Sequence, residues 1–347
     1  MNENQNNVQY YRNEIDLKEL ILALWKRKKM IISFTLVFAI LAGLFSKFVI
    51  SPVYDTKLNI VISMPEVYST RYGDYTLPIT TNDQYIKLIT SNDVLINTIK
   101  DMEYDSVEIS LEKLRKRIAI GNVDTKTNTI QNSFEVTVSA DNPEESLKLA
   151  QTLFANYIEF IDVMTKERAI NYFINNFSMN IKSLENKLKS TRDILSTNEE
   201  LLAETPQIIT KGEASIEIQT QLTDKSDYVV PVNTVNPNYI KIENDIVENK
   251  QSINIIENSI MMNNQYISEL GVEKQALNKY YETGRAKKLE SSVIGVVETS
   301  VYLPSPPVAP TQKTSPSNSL NTIIGAVIGG MIGVMTALIK EYWVKEA

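Results

Sequence analysis

The side chains best suited to proton transfer, nucleophilic attack and metal ligation are the first that could do chemistry, and the most versatile of them are missing. Histidine and cysteine are both absent from the 347 residues. That removes the usual proton shuttle near neutral pH, thiol nucleophiles, disulfides and the common zinc ligands. Carboxylate-only or Ser/Lys mechanisms need no histidine, but there is no Gly-x-Ser-x-Gly, no Ser-x-x-Lys with its partner motifs, and no Gly-rich phosphate loop ending in Gly-Lys-Ser/Thr. No catalytic residue, cofactor or metal site is assigned, and the chain is read as a non-enzyme. The one dense constellation of charge is Trp25-Lys26-Arg27-Lys28-Lys29. With a net charge of −7 over the whole chain offering no broad positive field, it does not point to nucleic acid.

The cluster gains its meaning from the apolar run immediately after it. Met30 to Ile50 reads MIISFTLVFAILAGLFSKFVI, with Lys47 its only charge, near one end where the ammonium can reach the interface. About twenty such residues cross a bilayer core as a helix. A cleaved signal peptide is the competing reading, but the polar leader is long and no small-x-small site precedes Ser51-Pro52. A second span reads IIGAVIGGMIGVMTALI from Ile323 to Ile339, with Lys340 and Lys345 beyond it and Tyr342 and Trp343 at the interface. Lysine and arginine are retained in the cytoplasm, so residues 1–29 form an inside leader, the middle is exported, and residues 341–347 return as an inside tail. Gly325, Gly329 and Gly333 recur every four residues, with Gly330 beside them, a spacing that lets helices pack closely, with Gly43 on the first span a candidate surface opposite. Glycine is also simply common in membrane helices.

The exported region reads as α+β. A strand is expected at Val53–Ile62, a second at Phe134–Ser139 and a third at Val293–Val301. Between them, Asn82 or Asp83 opens a helix through Lys100, and Leu111–Ile120 gives another. Residues 51–143 and 290–302 are thereby assigned to one α/β module next to the membrane. Asp141-Asn142-Pro143-Glu144-Glu145 is a strong helix start, and no Gly or Pro occurs from there until Pro206. Ile170, Ile174, Phe177, Ile181, Leu184, Leu188, Thr191 and Leu195 step by four and three, as do Ile242, Ile246, Asn249, Ile253, Ile256, Ile260, Asn263, Ile267 and Leu270. Two such seams separated by a polar stretch predict an antiparallel coiled-coil hairpin over 144–289, its tip near 203–236. Asn249 and Asn263 in the seam either specify register or oligomer state, or are merely solvated. Residues 303–320, with Pro304, Pro306, Pro307, Pro310 and Pro316, form an extended strap into the second span at 321–340; a motif for a proline-recognising domain would serve little outside the cytoplasm.

Taken in order, these features resemble the polysaccharide co-polymerase family, the Wzz-type chain-length determinants of O-antigen, lipopolysaccharide and capsule export. The residues that carry the resemblance are Ile15-Asp16-Leu17-Lys18-Glu19-Leu20, Leu24-Trp25-Lys26-Arg27-Lys28-Lys29, the first span, Pro52-Val53-Tyr54, and the Pro304 to Pro316 strap before a glycine-rich final span. The resemblance implies a non-catalytic plasma-membrane protein that assembles as a ring-like homo-oligomer and sets, with a membrane polymerase, how far a lipid-linked polysaccharide is extended or exported. A tyrosine autokinase associated with it must be a separate protein docking on the leader or tail, since Lys340 to Ala347 leaves no room for one. The rival class is a two-span sensor or signalling adaptor, against which the short cytoplasmic ends weigh.

Overall fold

The computed structural model describes residues 17–79, 81–105, 107–121, 132–210, 233–284, 289, 293 and 300–342. Ile15 and Asp16, the tip between 211 and 232, most of the strand expected at Val293–Val301, and Trp343 and Lys345 lie outside the described residues. The chain divides into two compact units, one of residues 1–64, 81–158 and 300–347, the other of residues 65–80 and 159–299.

The first unit opens with helices α1 (Leu17–Lys26) and α2 (Lys28–Phe48) and closes with α8 (Asn318–Tyr342). The last residues of the expected strap, 318–320, are therefore the first turn of that helix. Between them lies an antiparallel sheet of order β4-β5-β1-β8, built from β1 (Tyr54–Ile62), β4 (Ile118–Ile120), β5 (Asn132–Ala140) and β8 (Val301–Tyr302). Thr56, Leu58, Ile60 and Ile62 alternate into the core from β1, opposite Val138, Val136, Phe134 and Asn132 of β5. The fully buried Leu149, Leu153 and Tyr157 complete this core from the start of α6 (Pro143–Glu204). Burying each such side chain contributes about 1.5–3 kcal/mol. Two polar contacts are buried with them: Thr56 and Ser146 share a hydrogen bond of 2.6 Å, and the Tyr157 hydroxyl donates to the Tyr85 carbonyl at 3.0 Å.

Two expected helices are corrected. The one from Asn82 to Lys100 divides into α3 (Asn82–Lys87), a 3₁₀ turn at Leu88–Thr90 and α4 (Asn92–Asp101), because extended Ser91 (ψ 155°) restarts the chain. The one over Leu111–Ile120 stops at Lys116 as α5 (Leu111–Lys116); Ile118–Ile120 pairs with Val138 to Val136 as edge strand β4. Its β-branched ends, Ile118 and Ile120, fit a pleated edge better than a helix.

Helix α6 starts where the sequence supplies a complete cap. The Asn142 side-chain oxygen accepts from the Glu145 backbone N–H at 2.8 Å, the Asn142 amide returns a bond to the Glu145 carboxylate at 3.2 Å, and Pro143 needs no partner. The Glu145 carboxylate also accepts from the Tyr104 hydroxyl at 2.7 Å and from Arg117 at 3.1 Å. Burial, and then this bond, hold the Tyr104 hydroxyl protonated well above the usual tyrosine range.

In the second unit, α6 is answered by α7 (Pro237–Glu282), with Asn236 as N-cap accepting from Asn238 N–H at 3.0 Å. The two run antiparallel: Arg192 pairs with Glu257 at 2.6 Å and Glu199 with Lys250 at 2.9 Å, so partner numbers fall as α6 advances. Such exposed pairs contribute well under 1 kcal/mol each; the seam carries the stability. Short strands β6 (Ile208–Thr210) and β7 (Asn233–Val235) pair beyond the helix ends. The sequence pattern did not predict hairpin β2 (Val67–Thr70) and β3 (Gly73–Thr76), which turns at Arg71-Tyr72 with Gly73 at φ +114°, a conformation that favours glycine.

Candidate functional site

Everything the sequence singled out for function lies at the chain ends or along the helical hairpin. Helices α2 and α8 are each long and apolar enough to cross a membrane. They lie against each other with a glycine face between them. A Cβ added at Gly325 would collide with Ala42 Cβ and sit 2.7 Å from the Phe38 carbonyl oxygen; at Gly329 it would meet Phe38 Cβ at 2.6 Å and the Phe34 carbonyl at 2.7 Å. At Gly333 it would come within 3.0 Å of Ile31 Cα, and at Gly43 within 2.9 Å of the Thr322 hydroxyl. Gly330 is different, since its nearest neighbour would be the Thr35 hydroxyl at an ordinary 3.4 Å. Close backbone approach of this kind is what small residues give a helix pair in lipid.

Polar groups hold both ends of the pair. At one end the Glu341 carboxylate, only 11% exposed, accepts from Lys26 at 3.1 Å and from the Arg27 Nε at 3.2 Å. Lys28 instead stacks its ammonium over the Trp25 ring at 4.6 Å from the centroid, and Lys29 is exposed. At the other end Ser46, 1% exposed, donates to the Asn318 side-chain oxygen at 3.0 Å and accepts from the Asn321 amide at 2.8 Å. Lys313 also donates to Asn318, at 3.1 Å. Glu341 and Ser46 were not singled out from the sequence. Glu341 as the first carboxylate past the second span, with a basic cluster just before the first, was the legible signal.

The proline segment runs back beside the start of β1. Val301 and Tyr302 pair with Ile62 and Val61, and Val53 exchanges backbone bonds of 2.8 Å with Ser315 and Thr314. Pro304, Pro306, Pro307 and Pro310 lie between these two attachments without regular secondary structure, and buried Pro316 comes after a cis Ser315–Pro316 bond.

On α7 the buried positions are Ile242, Ile246, Ile256, Asn263, Leu270, Leu277 and Tyr280. Asn263 is 8% exposed, whereas Asn249 on the same row is half-buried, so the two asparagines do not share one environment. At the foot of the hairpin Val163, Leu277, Tyr280 and Leu289 form an apolar cluster. Buried Lys166 is satisfied there by Asp162 at 2.6 Å and the Leu289 carbonyl at 3.0 Å, and Tyr280 donates to Glu159. The β2–β3 turn adds an aromatic knot. The Tyr72 ring centroid lies 5.8 Å from Phe173, 6.4 Å from Phe177 and 5.5 Å from Tyr266. Arg71 pairs with Glu269 over the Tyr72 face. Tyr75 packs on Tyr172 and Phe173, and burial, opposed by Arg168, raises its pKa. Two tyrosines flanking Arg71-Tyr72-Gly73 were the only sequence trace of this element.

The amino-terminal part of this arrangement, from the leader through α4, has a known counterpart. Residues 13–102 match the family of the chain length determinant protein, Wzz. Among solved structures, the chain is similar to a full-length bacterial polysaccharide co-polymerase, with 13% identity over 94% of this chain and 99% of that one and a TM-score of 0.45. No curated protein sequence matches. The Wzz segment includes the basic cluster, α2, β1 and the β2–β3 hairpin; the carboxy-terminal span and the strap lie beyond it.

Proposed function

We propose that this chain is a non-catalytic membrane protein that regulates the length and export of a surface polysaccharide, such as O-antigen, capsule or exopolysaccharide. The Wzz match over residues 13–102 carries the reading. The paired apolar helices at the chain ends and the lack of histidine and cysteine support it. In this reading both termini are cytoplasmic, held there by Lys26 to Lys29, and residues 51–320 stand on the far side of the plasma membrane. The chain acts as a homo-oligomer beside a membrane polymerase. Control comes from assembly geometry, with the hairpin seam and its asparagines fixing register, the proline strap setting the spacing to the second span, and the glycine face locking the two spans.

Deleting the gene and sizing the exported polymer by gel electrophoresis tests this. A shifted or broadened length distribution is expected, restored by the intact chain; unchanged length and yield remove the reading. Reporter fusions within 211–232 test the topology, and a cytoplasmic signal there overturns it.

A further inference from the structure

Helix α1 exposes four of its large apolar side chains. Leu17, Ile21, Leu22 and Trp25 are 72%, 56%, 58% and 68% exposed, while Ala23 on the opposite side is buried and Lys26 pairs with Glu341. Residues 17, 21 and 25 share a face by helical spacing, and the row continues through Lys28 and Lys29 to the exposed Ile32, Leu36 and Ile40 of α2. A stripe that is apolar, then doubly cationic, then apolar again is what a helix needs to lie across a headgroup layer. The helix also breaks where it must. Arg27 adopts φ −98° and ψ 12°, outside the helical range, and separates α1 from α2. Tipping α1 at Arg27 away from α8 turns the Leu17–Ile21–Trp25 face toward the bilayer, since the side that faces lipid along α2 becomes the membrane side of a tipped α1.

We propose that α1 is an interfacial helix that docks on an anionic membrane surface, with Leu17, Ile21, Leu22 and Trp25 in the acyl boundary and Lys28 and Lys29 on the headgroups. The occupant is lipid rather than protein because the face continues, past Lys28 and Lys29, into the exposed apolar side of α2. The cations on that row, Lys28 and Lys29, are also not the ones committed to Glu341. Docking of this kind requires α2 to span the bilayer and does not depend on any role in polysaccharide synthesis.

Because the chain has no cysteine, a single Leu17→Cys carries a polarity-sensitive fluorophore without competition. The full-length labelled protein is reconstituted in phosphatidylcholine vesicles with and without phosphatidylglycerol, and quenching by brominated lipid is read. Coaxial with α2, residue 17 would lie roughly 16 Å past Lys28 and escape the quencher. Docked, it is blue-shifted and quenched, with the anionic vesicles favoured about thirtyfold, from about 1 kcal/mol per lysine. Ile21→Ser with Leu22→Ser in the same background abolishes the quenching while leaving the basic cluster intact. A label that stays water-accessible on anionic vesicles overturns the proposal. So does one shielded equally in both lipids without quenching, which would mean that protein covers the face. A chain stripped from vesicles by carbonate overturns the span itself, and the docking with it.

Discussion

Adding one methyl group at Gly329 should loosen the two spans more than any other single-carbon change in the chain ends, apart from the same change at Gly325. The new Cβ would lie 2.7 Å from the Phe34 carbonyl oxygen and 3.1 Å from Thr35 Cα, both backbone atoms that no rotamer change can move. Relief requires the helices to separate by on the order of 1 Å along this face, which forfeits part of every neighbouring dispersion contact. Overpacking of this kind costs about 1–3 kcal/mol, against at most about 1 kcal/mol gained from alanine's better helix propensity. The net, about 1 kcal/mol at the middle of that range, should weaken pairing about fivefold. Gly330→Ala adds the same methyl at an ordinary 3.4 Å from a side-chain hydroxyl, so it gains the propensity without the clash and should leave pairing unchanged or stronger. Ser46→Cys with Asn321→Cys, at positions already in hydrogen-bond contact, gives an intrachain disulfide whose yield in membranes reads the pairing. Gly329→Ala and Gly325→Ala should lower that yield, and Gly330→Ala should not. Equal effects at all three positions would refute the packing argument.

Contacts elsewhere lead to three further outcomes. Glu341→Gln leaves Lys26 and Arg27 without their nearly buried carboxylate and should cost about 1–2 kcal/mol of pairing at that end of the helix pair, read by the same cross-link. Tyr72→Ala empties the space between Phe173, Phe177 and Tyr266 and should destabilise the hairpin unit by about 3–5 kcal/mol, while Tyr72→Phe costs under about 1, as tracked by hydrogen exchange across residues 165–180. Tyr75, Tyr104 and Tyr157 all have raised pKa values through burial, so above the ordinary value of 10.0 the unfolded chain loses protons that the folded one keeps. Stability should be pH-independent from these groups below that point and fall as pH rises above it, and Tyr104→Phe should soften the fall in an alkaline denaturation monitored by tyrosinate absorbance.

The strongly periodic parts of the chain were legible because one physical pattern dominates each. Apolar runs longer than a soluble core helix needs mark α2 and α8, and alternation in Phe134, Val136 and Val138 marks β5. The capped start at Asn142 and the glycine- and proline-free stretch to Pro206 mark α6 within two residues. Elements shorter than a helical turn or two were not legible, because their identity is decided by partners distant in sequence. Ile118 to Ile120 is a strand only because Val136 to Val138 presents an edge, and the β2–β3 hairpin is held by Phe173, Tyr266 and Glu269, some hundred to two hundred residues away. The site was legible by composition and not by pairing. The basic cluster, glycines and prolines could be named, but that Lys26 and Arg27 meet Glu341, or that Ser46 sits between Asn318 and Asn321, depends on a register no local pattern encodes. Asn249 and Asn263, alike on the heptad, also separate only when the fold buries one of them.

The helix pair is keyed like a shaft at top and bottom. Sliding one span along the other by about 1.5 Å, the rise of a single residue, would carry Gly329 off the Phe34 carbonyl it now faces and would stretch both the Glu341 and the Ser46 anchorages together. A piston stroke of one helix past the other is thereby opposed at both ends at once. A rigid rotation of the pair, or a change in which neighbours surround it, would leave both anchorages intact.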